Sequence, residues 1–140
     1  MARLILDTSV IVAAERGRIS LDDVIQPADD VGIAAVTAAE LLLGVELAAL
    51  NRQVVRQSAV ELQLRSLTIV DYTLTVARWH ARLIAHARNT GKTRGSHDLI
   101  IGATAVAMSR SIVTFDAGFT EIPGVSVRLL DTPARKERAT

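Results

Sequence analysis

RLILDTS, at residues 3–9, is the stretch of this sequence that indicates the fold most clearly. Its apolar run ends abruptly in the carboxylate of Asp7 and the hydroxyls of Thr8 and Ser9, and a further apolar segment follows. This pattern is typical of a buried strand that leads into a helix. Asp7 is then predicted to lie at the carboxyl end of the first strand, where open α/β sheets bind ligands. Taken alone, the simpler interpretation is that Asp7 or Ser9 caps the helix.

The composition predicts one cytoplasmic domain. A chain of 140 residues can bury a core without disulfides, and the absence of cysteine fits a reducing compartment. We expect no signal peptide and no membrane span, because no apolar run approaches about 18 residues. Hydrophobic residues nevertheless make up 49% of the chain, which predicts an apolar surface that meets a protein partner. The net charge of +1 does not by itself indicate a nucleic-acid partner.

Four more apolar runs resemble the first one. They predict strands at residues 31–36, 67–70, 111–114 and 126–130, with helices at 37–50, 51–65, 73–89 and 99–108. One α/β domain over residues 1–132 accounts for this order, and the polar residues 133–140 are predicted to form a disordered tail. Thr37 and Glu40 have the spacing of a capping box, which gives Glu40 a structural role as the alternative to a functional one.

Acidic residues recur at the predicted strand ends and helix starts. They are Asp7, Glu40, Asp71, Asp98, Asp116 and Asp131. In a parallel sheet these positions tend toward one edge, where clustered carboxylates repel each other unless a cation is present. The chain has neither a cysteine nor a His-x₃-His pair, the residues that would favour zinc. The expected ion is therefore Mg²⁺ or Mn²⁺. Such an ion can activate a water and clamp the oxygens of a phosphodiester. The pattern alone leaves open which acids belong to the site.

A basic segment lies between residues 78 and 94, where no acid occurs. Its cations are Arg78, Arg82, Arg88, Lys92 and Arg94. The default interpretation is a solvated helix face, and the functional alternative is an electropositive wall beside a phosphate-binding site. His80, on the apolar face of the same helix, is predicted to be a core or interface residue rather than a ligand.

Four motifs in order resemble the PIN-domain ribonuclease family. They are DTS at residues 7–9, TAAELLLG at 37–44, SHDLIIGATA at 96–105 and TFDAGF at 114–119. The resemblance extends over residues 4–130 and is strongest to the toxins of VapBC toxin–antitoxin pairs. It implies a five-stranded parallel sheet in the order 3-2-1-4-5, flanked by helices. It also implies a Mg²⁺-dependent endoribonuclease that a small VapB-like antitoxin inhibits.

The resemblance assigns roles residue by residue. It implies an acidic quartet of Asp7, Glu40, Asp98 and Asp116, in which Asp7, Asp98 and Asp116 hold the metal. Ser9 and Thr114 match supporting hydroxyls. The RNA-binding candidates Arg78, Arg82, Lys92 and Arg94 come from the basic segment and not from the resemblance. In the implied strand order, Asp71 and Asp131 end the edge strands. Because neighbouring strands are about 4.8 Å apart, these two acids would lie too far from Asp7 to share a metal with it. Gly118 stands where family members often carry a further acid, which favours one tightly held Mg²⁺ over two.

Two other functions remain open. One is a PIN-like phosphatase or DNA nuclease, which would need additional nucleic-acid-binding elements. The other is a non-catalytic, metal-binding receiver-like domain, which would need a lysine near a late strand end, whereas the chain has only Lys92 and Lys136. If RNA were cleaved without a metal-activated water, His97 or His86 would become the candidate general base.

The helix predicted at residues 37–50 is apolar on nearly all sides. One small core cannot bury such a helix completely, so it predicts an association surface. We expect a homodimer or an antitoxin complex whose contacts include Leu42, Val45 or Leu47.

Overall fold

The computed structural model describes residues 1–133 and has alternating strands and helices. The strands are β1 (Arg3–Leu6), β2 (Asp30–Ala34), β3 (Thr68–Val70), β4 (Ser111–Thr114) and β5 (Val127–Leu129). The helices are α1 (Thr8–Glu15), α2 (Ala35–Glu46), α3 (Leu50–Ser66), α4 (Leu74–Thr90) and α5 (Ser96–Ala107). Short 3-10 helices span Leu21–Asp23 and Ala117–Glu121. Except for Pro133, the predicted tail lies outside the described residues.

All five strands are parallel, in the order β3-β2-β1-β4-β5. The predicted sheet is therefore confirmed. β1 is the central strand, and its Ile5 pairs with Gly32 of β2 and Ile112 of β4. Because helices cover both faces of a parallel sheet, its central strand is a continuous apolar run, and Leu4, Ile5 and Leu6 are fully buried.

The alternation of side chains along β1 divides the core into two layers. Leu4 and Leu6 belong to a cluster that contains residues of α1, α2 and α3. Ile5 belongs to the opposite cluster, with residues of α4 and α5 such as Leu83 and Ile101. Within the described residues, no helix is both long and apolar enough to cross a membrane.

A buried arginine joins strands at the amino edge of the sheet. One nitrogen of Arg110, Nη1, donates to the backbone oxygens of Leu4 and Asp30, at 3.1 Å each. The same guanidinium meets both carboxylate oxygens of Asp30, at 3.0 and 3.2 Å. A charge taken out of water needs such partners, so Arg110 is a structural residue on the edge opposite the acids.

The structure removes the capping-box alternative for Glu40 and removes Val45 from the three candidate contact residues of α2. The helix begins at Ala35, directly after β2, and no side chain caps it, so Thr37 and Glu40 form no capping box. The Thr37 hydroxyl is instead buried without a hydrogen-bond partner. Val45 is only 4% exposed, because it packs in the core cluster with Leu41, and it cannot contribute to an association surface.

Candidate metal centre

Asp7 lies where the central strand ends and is 9% exposed. Its Oδ2 accepts hydrogen bonds from the hydroxyls of Thr114, at 2.8 Å, and Ser9, at 3.0 Å. The Thr114 hydroxyl in turn accepts from the backbone N–H of Asp116, at 3.0 Å. These bonds connect β1, α1 and β4 and fix the orientation of the Asp7 carboxylate.

Asp116 follows β4, the neighbour of β1, and its carboxylate is half exposed. Its Oδ1 accepts from the backbone N–H of Gly118 at 2.8 Å, which caps the following 3-10 helix. Its Oδ2 accepts from the guanidinium of Arg94 at 3.1 Å. One oxygen of this carboxylate is thus committed to the backbone and the other to a cation.

Asp98 lies in the first turn of α5. Burial raises the pKa of its carboxyl, the nearby Arg94 opposes this effect, and the charges of Asp7 and Asp116 raise the pKa further. The Asp98 Oδ2 lies 3.3 Å from the Arg94 guanidinium. Asp98 thus lies within electrostatic range of Asp7, Asp116 and Arg94 at once.

Glu40 reaches the same region from α2. Its Oε1 lies 3.5 Å from Nδ1 of His97 and is buried without a hydrogen-bond partner. Burial raises the pKa of Glu40, His97 opposes the shift, and the charges of Asp7 and Asp98 add to it. Glu40 therefore shares the electrostatic environment of the aspartates.

The structure brings the four predicted acids to the middle of the carboxyl edge of the sheet and leaves the other two at the sides of the same edge. Asp71 and Asp131 follow β3 and β5, the edge strands. At about 4.8 Å per strand, each edge strand lies roughly 10 Å from β1.

The four acids offer only oxygen ligands, which suits a hard divalent ion. The raised pKa values of Glu40 and Asp98 and the unpartnered Glu40 oxygen fit a site that gains from a cation. In residues 1–133, however, no three acidic or histidine side chains already surround a common ion position. The Arg94 guanidinium contacts one oxygen of Asp98 and one of Asp116, so an ion held by Asp7, Asp98 and Asp116 would use the oxygen lone pairs that the guanidinium leaves free. Asp7, Asp98 and Asp116 are the residues that could hold it.

The predicted basic wall divides into two parts. Arg78, Arg82 and Lys92 are exposed, and the Arg82 guanidinium lies 4.8 Å from the centre of the Trp79 ring. Arg94 is the candidate that lies among the acids, which sequence reasoning missed. The four-residue spacing of Arg94 and Asp98 at a helix start is the sequence signal that suggests their pairing.

His80 occupies a partly buried position on α4. Its Nδ1 forms a 2.8 Å hydrogen bond with the Tyr72 hydroxyl, and burial lowers the pKa of its imidazole. This environment agrees with the predicted core or interface role.

The family model described as the PIN domain matches residues 4–125. The chain belongs to the PIN-domain family. Over 126 residues, this PIN domain is 35% identical to Ribonuclease VapC5 of Mycobacterium tuberculosis, an alignment that covers 87% of the chain and 89% of the relative. The family prediction, including its VapC branch, is confirmed.

Solved structures show the same fold. One is the structure of VapBC2 from Rickettsia felis bound to a DNA fragment from their promoter, with a TM-score of 0.84 and 22% identity. That match covers 92% of this PIN domain and 99% of the matched chain. Another is VapBC-5 from Mycobacterium tuberculosis, a member of the VapBC family of toxin-antitoxin systems, with a TM-score of 0.73 and 29% identity. It covers 94% of the PIN domain and 100% of the matched chain.

Proposed function

We propose that this PIN domain is a divalent-metal-dependent endoribonuclease and the toxin of a toxin–antitoxin pair, acting in the cytoplasm. The observation that carries the proposal is the gathering of Asp7, Glu40, Asp98 and Asp116 at the carboxyl edge of the sheet, with raised pKa values at Glu40 and Asp98. The name of the relative, Ribonuclease VapC5, supports RNA as the substrate.

Each side chain has a distinct task in this proposal. Asp7, Asp98 and Asp116 hold Mg²⁺ or Mn²⁺, and Ser9 and Thr114 orient Asp7 through their hydrogen bonds. When bound, the ion supplies activation of water and charge stabilisation on the phosphodiester. Glu40 has a raised pKa and lies among the aspartates, so it can accept a proton from an attacking water.

The reaction products test this function. We expect purified protein to cleave single-stranded RNA only with Mg²⁺ or Mn²⁺ and to leave 5′-phosphate and 3′-hydroxyl ends, because an activated water does not need the ribose 2′-hydroxyl. End-specific labelling of the fragments measures this, with EDTA-treated protein as the control. Ends carrying 2′,3′-cyclic phosphate would contradict hydrolysis by a metal-activated water and favour His97 or His86 as a general base.

Parallel assays on flap DNA and phosphate monoesters test the DNA nuclease and phosphatase alternatives. Metal binding without hydrolysis of any substrate would favour the receiver-like alternative.

The exposed cations of the basic segment are proposed to bind the RNA backbone. Replacing Arg82 with Glu should weaken RNA binding and reduce the slope of log affinity against log salt by about 1, since a phosphate contact releases a counterion. Fluorescence anisotropy between low and moderate salt measures both quantities. Arg65→Glu, an exposed position at the end of α3, makes the same charge change and should have less effect. Equal slopes in the two variants would assign Arg82 to a solvated face.

An apolar surface on α2 and α3 is the proposed site of protein association. It consists of the exposed side chains of Leu42, Leu43, Leu47, Leu50, Val54, Val55 and Leu62. Seven exposed large apolar side chains on α2, α3 and the short connection between them exceed the scattered exposure of a monomer. We propose that a VapB-like antitoxin segment covers this α2–α3 surface. The 29% identity to VapBC-5, a member of the VapBC family of toxin-antitoxin systems, supports an antitoxin as the partner. A basic side chain of that segment can pair with the acids. Packing of two copies into a homodimer is the second proposed use.

Leu47 is the best position at which to test the surface, because it is 76% exposed and its replacement leaves the core intact. Leu47→Glu should weaken antitoxin binding at least about tenfold, since the interface would have to desolvate a carboxylate. Calorimetry with the cognate antitoxin and light scattering of the free protein measure the two associations. Leu74→Glu, 68% exposed on α4, is the matched control. Unchanged antitoxin affinity together with a monomeric wild type would rule out this surface.

A further inference from the structure

Arg94 is held inside the acidic site by contacts on three sides. Its Nη2 lies 3.3 Å from Oδ2 of Asp98 and 3.1 Å from Oδ2 of Asp116. The guanidinium carbon lies 5.1 Å from the centre of the buried Phe119 ring, within range of a cation–π interaction. The Arg94 side chain is 19% exposed, unlike the exposed cations of α4.

Gly118 provides the space that this arrangement needs. A Cβ atom added to Gly118 would overlap Nη1 of Arg94 and lie 2.8 Å from its guanidinium carbon. Even alanine at position 118 would therefore force the guanidinium to move. An acidic side chain there is incompatible with Arg94 in its present position.

We propose that Arg94 is a resident cation that takes the position of a second divalent ion, so that this PIN domain binds one divalent ion and not two. The inference rests on the proposed function, in which the acids hold a metal. One carboxylate oxygen of Asp98 and one of Asp116 already form ion pairs with the Arg94 guanidinium. The first ion is left with Asp7 and the lone pairs of Asp98 and Asp116 that do not face the guanidinium. A second ion on the oxygens that contact Arg94 would lie a few Å from a like charge, where repulsion in a partly buried site is strong.

An arginine is suited to permanent occupation. The guanidinium does not lose its proton in proteins, so its charge persists at every working pH. Leaving the site would break two ion pairs and the contact with Phe119. One guanidinium together with one divalent ion still leaves the four acids with a small net negative charge.

Counting bound Mn²⁺ tests the inference without RNA. Metal-stripped wild type is titrated with Mn²⁺ by calorimetry, and the bound ions are counted by electron paramagnetic resonance; we expect one ion per chain. Arg94→Gln removes the charge, and R94Q/G118D adds a carboxylate in the vacated space. Two ions per chain in either variant is the expected result.

Arg82→Gln is the matched control, because it removes the same charge from an exposed position and should keep one ion. One ion per chain in both Arg94 variants, or a second ion in Arg82→Gln as well, would overturn the inference but leave the proposed function intact. If wild type and variants bind no Mn²⁺ at all, the metal centre is refuted, and the role of Arg94 and the proposed function are refuted with it.

Discussion

Replacing Asp7 with Asn is expected to lower the rate of RNA cleavage by at least about a hundredfold, because a metal ion supplies several kcal/mol of charge stabilisation. Asp7 is buried and its Oδ2 accepts hydrogen bonds from Ser9 and Thr114. The amide oxygen of Asn can accept the same bonds, so shape is kept and only the charge is lost. Single-turnover cleavage of a labelled RNA at saturating Mg²⁺ measures the effect.

Asp71 provides the control for this substitution. It also follows a strand, but β3 is an edge strand and Asp71 is exposed. Asp71→Asn should cleave RNA at nearly the wild-type rate. If Asp7→Asn kept more than about a tenth of the wild-type rate, Asp7 would not be a ligand of the catalytic ion.

Replacing Arg110 with Met is expected to lower the free energy of unfolding by about 2–3 kcal/mol, the usual cost of leaving buried hydrogen-bond acceptors without their donor. The change leaves the Asp30 carboxylate without its cation and removes a donor from the backbone oxygens of Leu4 and Asp30. Since domains are stable by only about 5–15 kcal/mol, the loss is a large fraction of the total.

Urea unfolding followed by circular dichroism measures this stability change. Arg3→Met is the control, because Arg3 is exposed and its loss should change the free energy of unfolding by less than about 0.5 kcal/mol. A loss below about 1 kcal/mol in Arg110→Met would show that the ion pair contributes no more than a surface pair.

The first strand and its terminal acid could be predicted from the sequence because both are local. Neighbouring residues alone show an apolar run that stops at Asp7, and the burial of Leu4, Ile5 and Leu6 agrees with the predicted buried strand. The strand order could not be obtained this way. It depends on which strands pair across the chain, and the resemblance to the PIN family supplied it.

The errors concern positions where tertiary structure overrides local pattern. The spacing of Thr37 and Glu40 matches a capping box, but β2 continues directly into α2 and the helix starts before Thr37. Val45 belongs to a helix that is apolar on nearly all sides, so the sequence does not distinguish its buried side from its exposed side. The position of Arg94 depends on its contact with Asp116, 22 residues away, and on the space at Gly118.

A crystal structure with bound Mn²⁺, located by anomalous scattering, tests the central claim most directly. The account predicts an anomalous peak at the carboxyl edge of the sheet, with oxygens of Asp7, Asp98 and Asp116 close enough to coordinate the ion directly or through a bridging water. If the protein cleaves RNA with Mn²⁺ but the crystals show no anomalous peak among these three carboxylates, the claim is contradicted.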